Sequence, residues 1–382
     1  MKKIVFWEAV AALIGTIIGA GVFALPYITA KAGLGISFIW LIGLAAIVTY
    51  IHLAFGEIVL RTKEEYRLPG YVGHYLGLAA KKFLLITNFL TFGLSFVIYL
   101  ILGSKFLSIL LAPYHIAEMH LVLGLWIILS AIILLDSKAA ARINFYISFA
   151  LVGLFILLFF SSTPYIDKAN FIFSTGMPWQ WILPYGIFLY ALIGFSAIPE
   201  AIKIGREGLM SGKHFKKVII LGSLVPVLLY GLFIIGVVGA TGKFTTQEAI
   251  SGLSNILGFK ITILGALLGL AAVATSYLIF GSYLKNSFRC DYGWSKYFAY
   301  FLIALGPIIF YLLGIGDFTR WMSFIGALLT GFEGIMILYV LRQAKKSSNR
   351  VPEYQISLPK LIFWPLVICF VAGAILQVTL MI

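Results

Sequence analysis

Two short stretches carry glycine and proline where an apolar helix has least use for them. The first runs Gly15-Thr-Ile-Ile-Gly-Ala-Gly-Val-Phe-Ala-Leu-Pro26, and the second runs Gly194-Phe-Ser-Ala-Ile-Pro199. Such residues interrupt a helix, and an interruption frees backbone groups for chemistry. A half-helix starting near Gly21 presents unbonded N–H groups and a positive dipole end, suited to a carboxylate. The carbonyls that end the preceding half suit a cation or an ammonium group. A third stretch, Ala272-Val-Ala-Thr-Ser276, puts two adjacent hydroxyls in the middle of an apolar helix. These either bond their own helix carbonyls or serve as neutral oxygen ligands for a hard cation. His52 and Glu333 are ionisable groups inside apolar runs, and Glu200 follows the second break. A titratable group in such a place is a candidate proton carrier.

The elements that hold these residues are membrane spans. The chain has 382 residues, 62% hydrophobic and 11% charged, with a mean hydropathy of +1.04. Apolar runs of about 17–25 residues cross a bilayer as helices. The sequence predicts eleven, near 7–30, 36–60, 83–111, 119–135, 144–162, 180–203, 217–240, 260–284, 297–313, 319–342 and 361–381. With the N-terminus in the cytoplasm, every Lys and Arg falls on the inner side except Lys31, Lys105, Lys168, Lys243, Lys260 and Arg320. That bias sets a cytoplasmic N-terminus and an extracellular C-terminus in the cell membrane. The net charge of +14 is therefore topological, and nucleic acid is not a partner. Cys290 and Cys369 fall in an inner connection and in the last span, so no disulfide is expected.

The two breaks share the pattern G-x-x-A-[LI]-P, 173 residues apart. They fall in spans 1 and 6, which open two successive five-span sets. Five is odd, so the sets have opposite orientation. Interrupted helices at matching places in inverted halves point to a transporter's binding site. Read the plainer way, the glycines only let helices pack closely, as Gly15-x-x-x-Gly19 does in other spans.

These two stretches resemble the discontinuous helices of the amino acid–polyamine–organocation superfamily, whose fold is the LeuT type. With Lys216-Lys-Val-Ile-Ile-Leu-Gly-Ser-Leu-Val-Pro226 and eleven spans, the resemblance narrows to the amino acid/auxin and hydroxy/aromatic amino acid permease branches. It covers essentially the whole chain. It implies an all-α integral membrane protein with a LeuT-type 5+5 inverted repeat and one extra C-terminal helix. It further implies that all 382 residues form one transporter domain, with repeats at about 5–163 and 178–342 and the extra helix at about 361–381.

The resemblance also implies roles. Backbone at Gly19, Ala20, Gly21 and Val22 would take a substrate carboxylate. Carbonyls at Ile17, Leu189, Tyr190 and Leu192 would face its ammonium group, with Gly194 at the second break. Phe195 would pack on the substrate side chain, and Ser95 and Tyr99 of span 3 would contact it. A sodium ion would lie between spans 1 and 8, on backbone oxygens of Gly15, Ile18 and Ala272 and the hydroxyls of Thr275 and Ser276. Some proton-coupled relatives place a lysine from span 5 there, and this span 5 has none within it, which favours sodium over a proton. The proton alternative rests on His52, Glu200 and Glu333, although a hydrogen-bonded packing role also suits His52.

The expected function is ion-coupled symport of a neutral, hydrophobic or aromatic amino acid, since no acidic side chain at the breaks argues for a basic one. An enzyme is not expected: the chain has no HExxH, nucleophile elbow or P-loop. An amino-acid sensor that binds without transporting would use the same pocket, and no cofactor beyond the coupling ion is implied.

Overall fold

The computed structural model describes residues 2–134, 138–171, 178–208, 212–290 and 292–381. No strand occurs among them. The side chains of Lys2, Lys3, Lys138, Arg142 and Cys290 lie outside the described ones.

Apolar helices dominate, with the amphipathic helix Ile198–Glu207 an exception. They are α1 (Lys2–Ile17), α2 (Leu25–Ala32), α3 (Leu34–Arg61), α4 (Leu78–Leu110), α5 (Glu118–Leu134) and α6 (Lys138–Ser162). Then follow α7 (Leu183–Leu192), α8 (Ile198–Glu207), α9 (Gly212–Thr241), α10 (Phe259–Cys290), α11 (Lys296–Leu312), α12 (Phe318–Ser347) and α13 (Lys360–Met381). Seven described helices are long and apolar enough to cross a membrane, counting α7 and α8 as one. The pair α1 and α2 forms an eighth, bent by 47° at its break. Shorter apolar helices cover Glu118–Ile133, Phe149–Tyr165 and Lys296–Leu312.

Local chemistry sets the ends. Asp317 caps α12, its Oδ1 accepting from the amides of Thr319 at 3.0 Å and Arg320 at 3.2 Å. Ser295 caps α11 through the Phe298 amide. Pro26 and Pro199 each sit in the first turn of the half-helix after a break, where a missing N–H loses no bond. A short helix spans Leu68–Leu76 between α3 and α4. Lys285, which the sequence assigns to a connection, lies inside α10, because the helix continues past its apolar run. The side chain is buried, and its Nζ donates to the Ile133 carbonyl at 3.0 Å.

The interior organises around the two breaks. α9 packs on α1, α3 and α6, α4 packs along α10, and α7 rests on α12. Inside α12 the stretch Ile325–Thr330 is a π-turn. At the end of the bundle where α3 and α12 finish, residues 348–359 form an extended strap. Pro352, Tyr354 and Ile356 point inward, while Val351, Gln355 and Ser357 point out. Tyr354 donates to the Leu53 carbonyl at 2.7 Å and occupies the space above Gly56. Beneath it, fully buried Glu57 accepts from Arg61 at 2.8 Å, Lys345 at 3.1 Å and the Ile356 amide at 2.6 Å. A buried carboxylate needs such partners, and these three tie α3, α12 and the strap together. The Glu57–Arg61 ion pair follows from their i, i+4 spacing. Outside the spans, Asn349 donates to Glu64, and that bond holds the Glu64 carboxyl below its ordinary range.

Candidate functional site

At the first break, Ile18 and Gly19 leave the helix, and Gly19 is extended at φ −114°, ψ −161°. The next turn begins with the Val22 amide bonding the Gly19 carbonyl at 3.4 Å. The amides of Ala20 and Gly21 therefore precede the first donor of that turn and belong to the unbonded start of a helix. Both residues line a central cavity with about 50 Å³ of room for solvent.

The second break repeats the arrangement. α7 ends at Leu192, Ile193 is extended, and the Ala197 amide bonds the Gly194 carbonyl at 3.0 Å. Phe195 and Ser196 stand before that first donor, and both line the same cavity. The Gly194 amide does not face it. It donates to Nε2 of buried His52 at 3.0 Å, and His52 Nδ1 lies 2.8 Å from Ser223 Oγ.

One side chain on α9 holds both breaks. The Tyr230 hydroxyl is 2.7 Å from the Ile17 carbonyl and 3.0 Å from the Ala191 carbonyl. It has one proton to give and two carbonyls within reach. The Ile17 carbonyl already accepts from the Gly19 amide at 2.8 Å, and Tyr230 is a second donor within its reach. Tyr230→Phe removes the shared donor. A lost hydrogen bond is worth about 1 kcal/mol, so ligand affinity is expected to fall roughly fivefold, as read by equilibrium binding, with the protein still folded.

Of the residues singled out from the sequence, Ile17, Gly19, Ala20 and Gly21 line the cavity at the first break. Ser95 and Tyr99 line it from α4, Tyr190 and Phe195 from the second break, Ser276 from α10 and Glu333 from α12. Ser95 donates to the Thr91 carbonyl at 2.7 Å, and Tyr190 meets Tyr99 hydroxyl to hydroxyl at 3.2 Å. Val22, Leu189 and Leu192 are buried in the packed core behind. Gly15, Ile18, Ala272 and Thr275 lie off the cavity wall. The Thr275 hydroxyl turns onto its own helix, 3.0 Å from the Ala271 carbonyl and 3.1 Å from that of Ala272. Ser276 faces the break instead: a Cβ on Gly19 would lie 3.0 Å from its Oγ. Glu200 lines a different cavity, with Glu65, Arg67, Lys203 and Arg206.

Glu333 changes the expected character of the pocket. Neither break carries an acid, but α12 brings a carboxyl into the cavity wall. Thr91, Phe92, Phe280 and Thr330 are among the wall residues that were not foreseen, as are Thr16, Ala191 and Ile193. Phe92, Tyr99 and Phe280 form one aromatic cluster, the Phe280 ring lying 5.2 Å from Phe92 and 5.9 Å from Tyr99. Helical spacing from Ser95 and Tyr99 singles out Thr91 and Phe92, one turn earlier on the same face.

A bundle of apolar helices, two of them broken at one buried central cavity, defines a multi-pass membrane permease. The chain belongs to the tryptophan/tyrosine permease family, whose profile matches residues 2–378. It is 23% identical over 354 residues to glutamine transporter 2 of Aliivibrio fischeri, covering 89% of this chain and 90% of that one. It is 22% identical over 364 residues to tyrosine-specific transport system 1 of Haemophilus influenzae, covering 88% of each. The fold matches the crystal structure of MhsT in complex with L-phenylalanine, with a TM-score of 0.66, 16% identity and 97% of both chains covered. The family is one of amino acid permeases, not enzymes.

Proposed function

We propose that this protein is a secondary active transporter that moves a neutral amino acid by alternating access, coupled to sodium. The observation that carries the reading is that both helix breaks open onto one buried cavity. The amides of Ala20 and Gly21 would take the substrate carboxylate, with Val22 behind them. Carbonyls at the ends of α1 and α7 would set the polarity for the ammonium group. Ser95, Tyr99, Tyr190 and Phe195 would surround the side chain. Relatives named for glutamine and tyrosine transport, and a similar fold that binds phenylalanine, support a neutral and sizeable substrate.

In this reading eleven spans form two inverted repeats and one further helix, with the N-terminus cytoplasmic and the C-terminus extracellular. Sodium would bind between Gly15, Ile18, Ala272, Thr275 and Ser276, and the approach of Ser276 to Gly19 supports that site. Neutral oxygens suffice for a single positive charge.

The test is uptake of labelled amino acids into proteoliposomes under imposed sodium or proton gradients. Uptake is expected to follow the sodium gradient, and Ser276→Ala is expected to lower the apparent sodium affinity. A second reading, proton coupling, is favoured by one observation: the Glu333 carboxyl has no partner among the described residues. Uptake that ignores sodium and follows pH would replace the sodium site with that carboxyl. Tight binding with no uptake under either gradient would leave a sensor.

A further inference from the structure

Among the described residues, Glu333 is the one acidic or basic side chain that lines the central cavity. It is 2% exposed, and no described residue donates to its carboxyl or pairs with it. Two oxygens on α4 also lack a partner among the described residues. Thr91 Oγ1, which belongs to the same cavity wall, is buried without a partner. So is Asn88 Oδ1, one turn earlier on α4. The two helices, α4 and α12, also touch nearer the start of α4, with the rings of Phe83 and Phe332 5.1 Å apart. Thr330, one turn before Glu333, adds a further hydroxyl to the wall.

Buried polar atoms are almost always partnered, so such a cluster marks a place that something else completes. Its chemistry says what. A carboxyl keeps a free acceptor oxygen whether or not it is protonated, and an amide oxygen accepts only. Glu333 and Asn88 Oδ1 offer acceptors, while the hydroxyls of Thr91 and Thr330 can accept as well as donate. An amino acid held by its carboxylate at Ala20 and Gly21 would have its side chain inside this same cavity.

The geometry points to Glu333, seconded by Thr91, as the group that reads the substrate side chain and selects one ending in an O–H or N–H donor over its hydrocarbon counterpart. This rests on the amino acid transport reading. A hydrocarbon side chain would fill the cavity beside the Glu333 carboxyl and give it nothing in return. The affinity it loses is about 10- to 100-fold.

Tyrosine and phenylalanine differ by one donor at the end of the ring, and glutamine and methionine are similar in length but differ in the same sense. Equilibrium binding to purified protein, without any gradient, is expected to favour tyrosine and glutamine at least tenfold over their counterparts. Glu333→Leu removes both carboxyl oxygens and is expected to bring each ratio to within about twofold. Glu333→Gln keeps one acceptor and is expected to retain most of the preference. Should Glu333→Leu fail to fold, the ratio in the native protein and its reduction in Thr91→Val decide the matter. If phenylalanine binds as tightly as tyrosine and methionine as tightly as glutamine, the inference falls while the transport reading stands. An unchanged ratio in Glu333→Leu overturns it in the same way. If none of the twenty amino acids binds or is taken up, the transport reading itself falls, and the inference with it.

Discussion

His52→Phe is expected to weaken amino acid binding about 10- to 100-fold and to lower the thermal midpoint of the purified protein. The argument is one of hydrogen-bond accounting. The ring is fully buried, and its Nε2 accepts the Gly194 amide at 3.0 Å. An accepting Nε2 puts the ring proton on Nδ1, which then donates to Ser223 Oγ at 2.8 Å. The neutral ring thus pegs the second break to α3 and α9 at once. Protonated, it would set one N–H against another at Gly194, so the peg works only in the neutral form. Phe fills the space but leaves a buried amide without an acceptor, which costs about 1–3 kcal/mol. That cost falls on Gly194, one residue before Phe195 enters the cavity wall. His52→Gln supplies an amide oxygen of similar reach and is expected to recover part of the loss. Equal affinities in His52→Phe and the native protein would show that the break holds its shape without the peg.

What could be read from the sequence follows a physical division. The breaks are local events, because glycine dihedrals and missing proline donors act within a few residues. Hence Gly19, Gly21 and Gly194 are recognisable without any structure. Ser95 and Tyr99 follow from helical spacing, which a single helix also determines. Tyr230 is a different matter. It is one of 20 tyrosines, and its role exists only because α9 passes behind both breaks. The strap over Gly56 and the partners of Glu57 beyond Arg61 are likewise long-range. Lys285 misled because a charged residue ends an apolar run without ending a helix. At Thr275 the hydroxyl takes its own helix carbonyls, the alternative that adjacent hydroxyls always leave open. Glu333 stood out as an ionisable group in an apolar run. That it faces the cavity depends on the π-turn just before it, since one extra residue per turn rotates everything that follows by about 100°.

That π-turn exposes the protein to its most damaging small change. Gly326→Ala is expected to abolish transport and to cost several kcal/mol of stability, at or beyond the roughly 1–3 kcal/mol typical of an overpacked core. A Cβ at position 326 would lie 1.9 Å from the Gly186 carbonyl oxygen and 2.9 Å from the Tyr190 amide nitrogen. From the other side, a Cβ on Gly186 would lie 2.2 Å from the Ser323 carbonyl oxygen. α7 and α12 therefore meet backbone on backbone, and neither surface has a flexible side chain to move aside. The helices must part by about 1.5 Å to reach an ordinary contact. α7 carries Tyr190 and Ala191 into the cavity wall, and α12 carries Thr330 and Glu333. Parting them pulls two sides of one site in opposite directions, so binding and folding should fail together. The matched control is Gly43→Ala on α3, where an added Cβ meets nothing within 4 Å. There the loss of unfolded-state freedom should leave stability unchanged or slightly raised. Thermal midpoints and binding measured side by side on the two variants separate a general intolerance of alanine for glycine from the close approach itself. If Gly326→Ala behaves like Gly43→Ala, the contact between α7 and α12 is looser than these distances require, and the π-turn cannot be what holds Glu333 in the cavity wall.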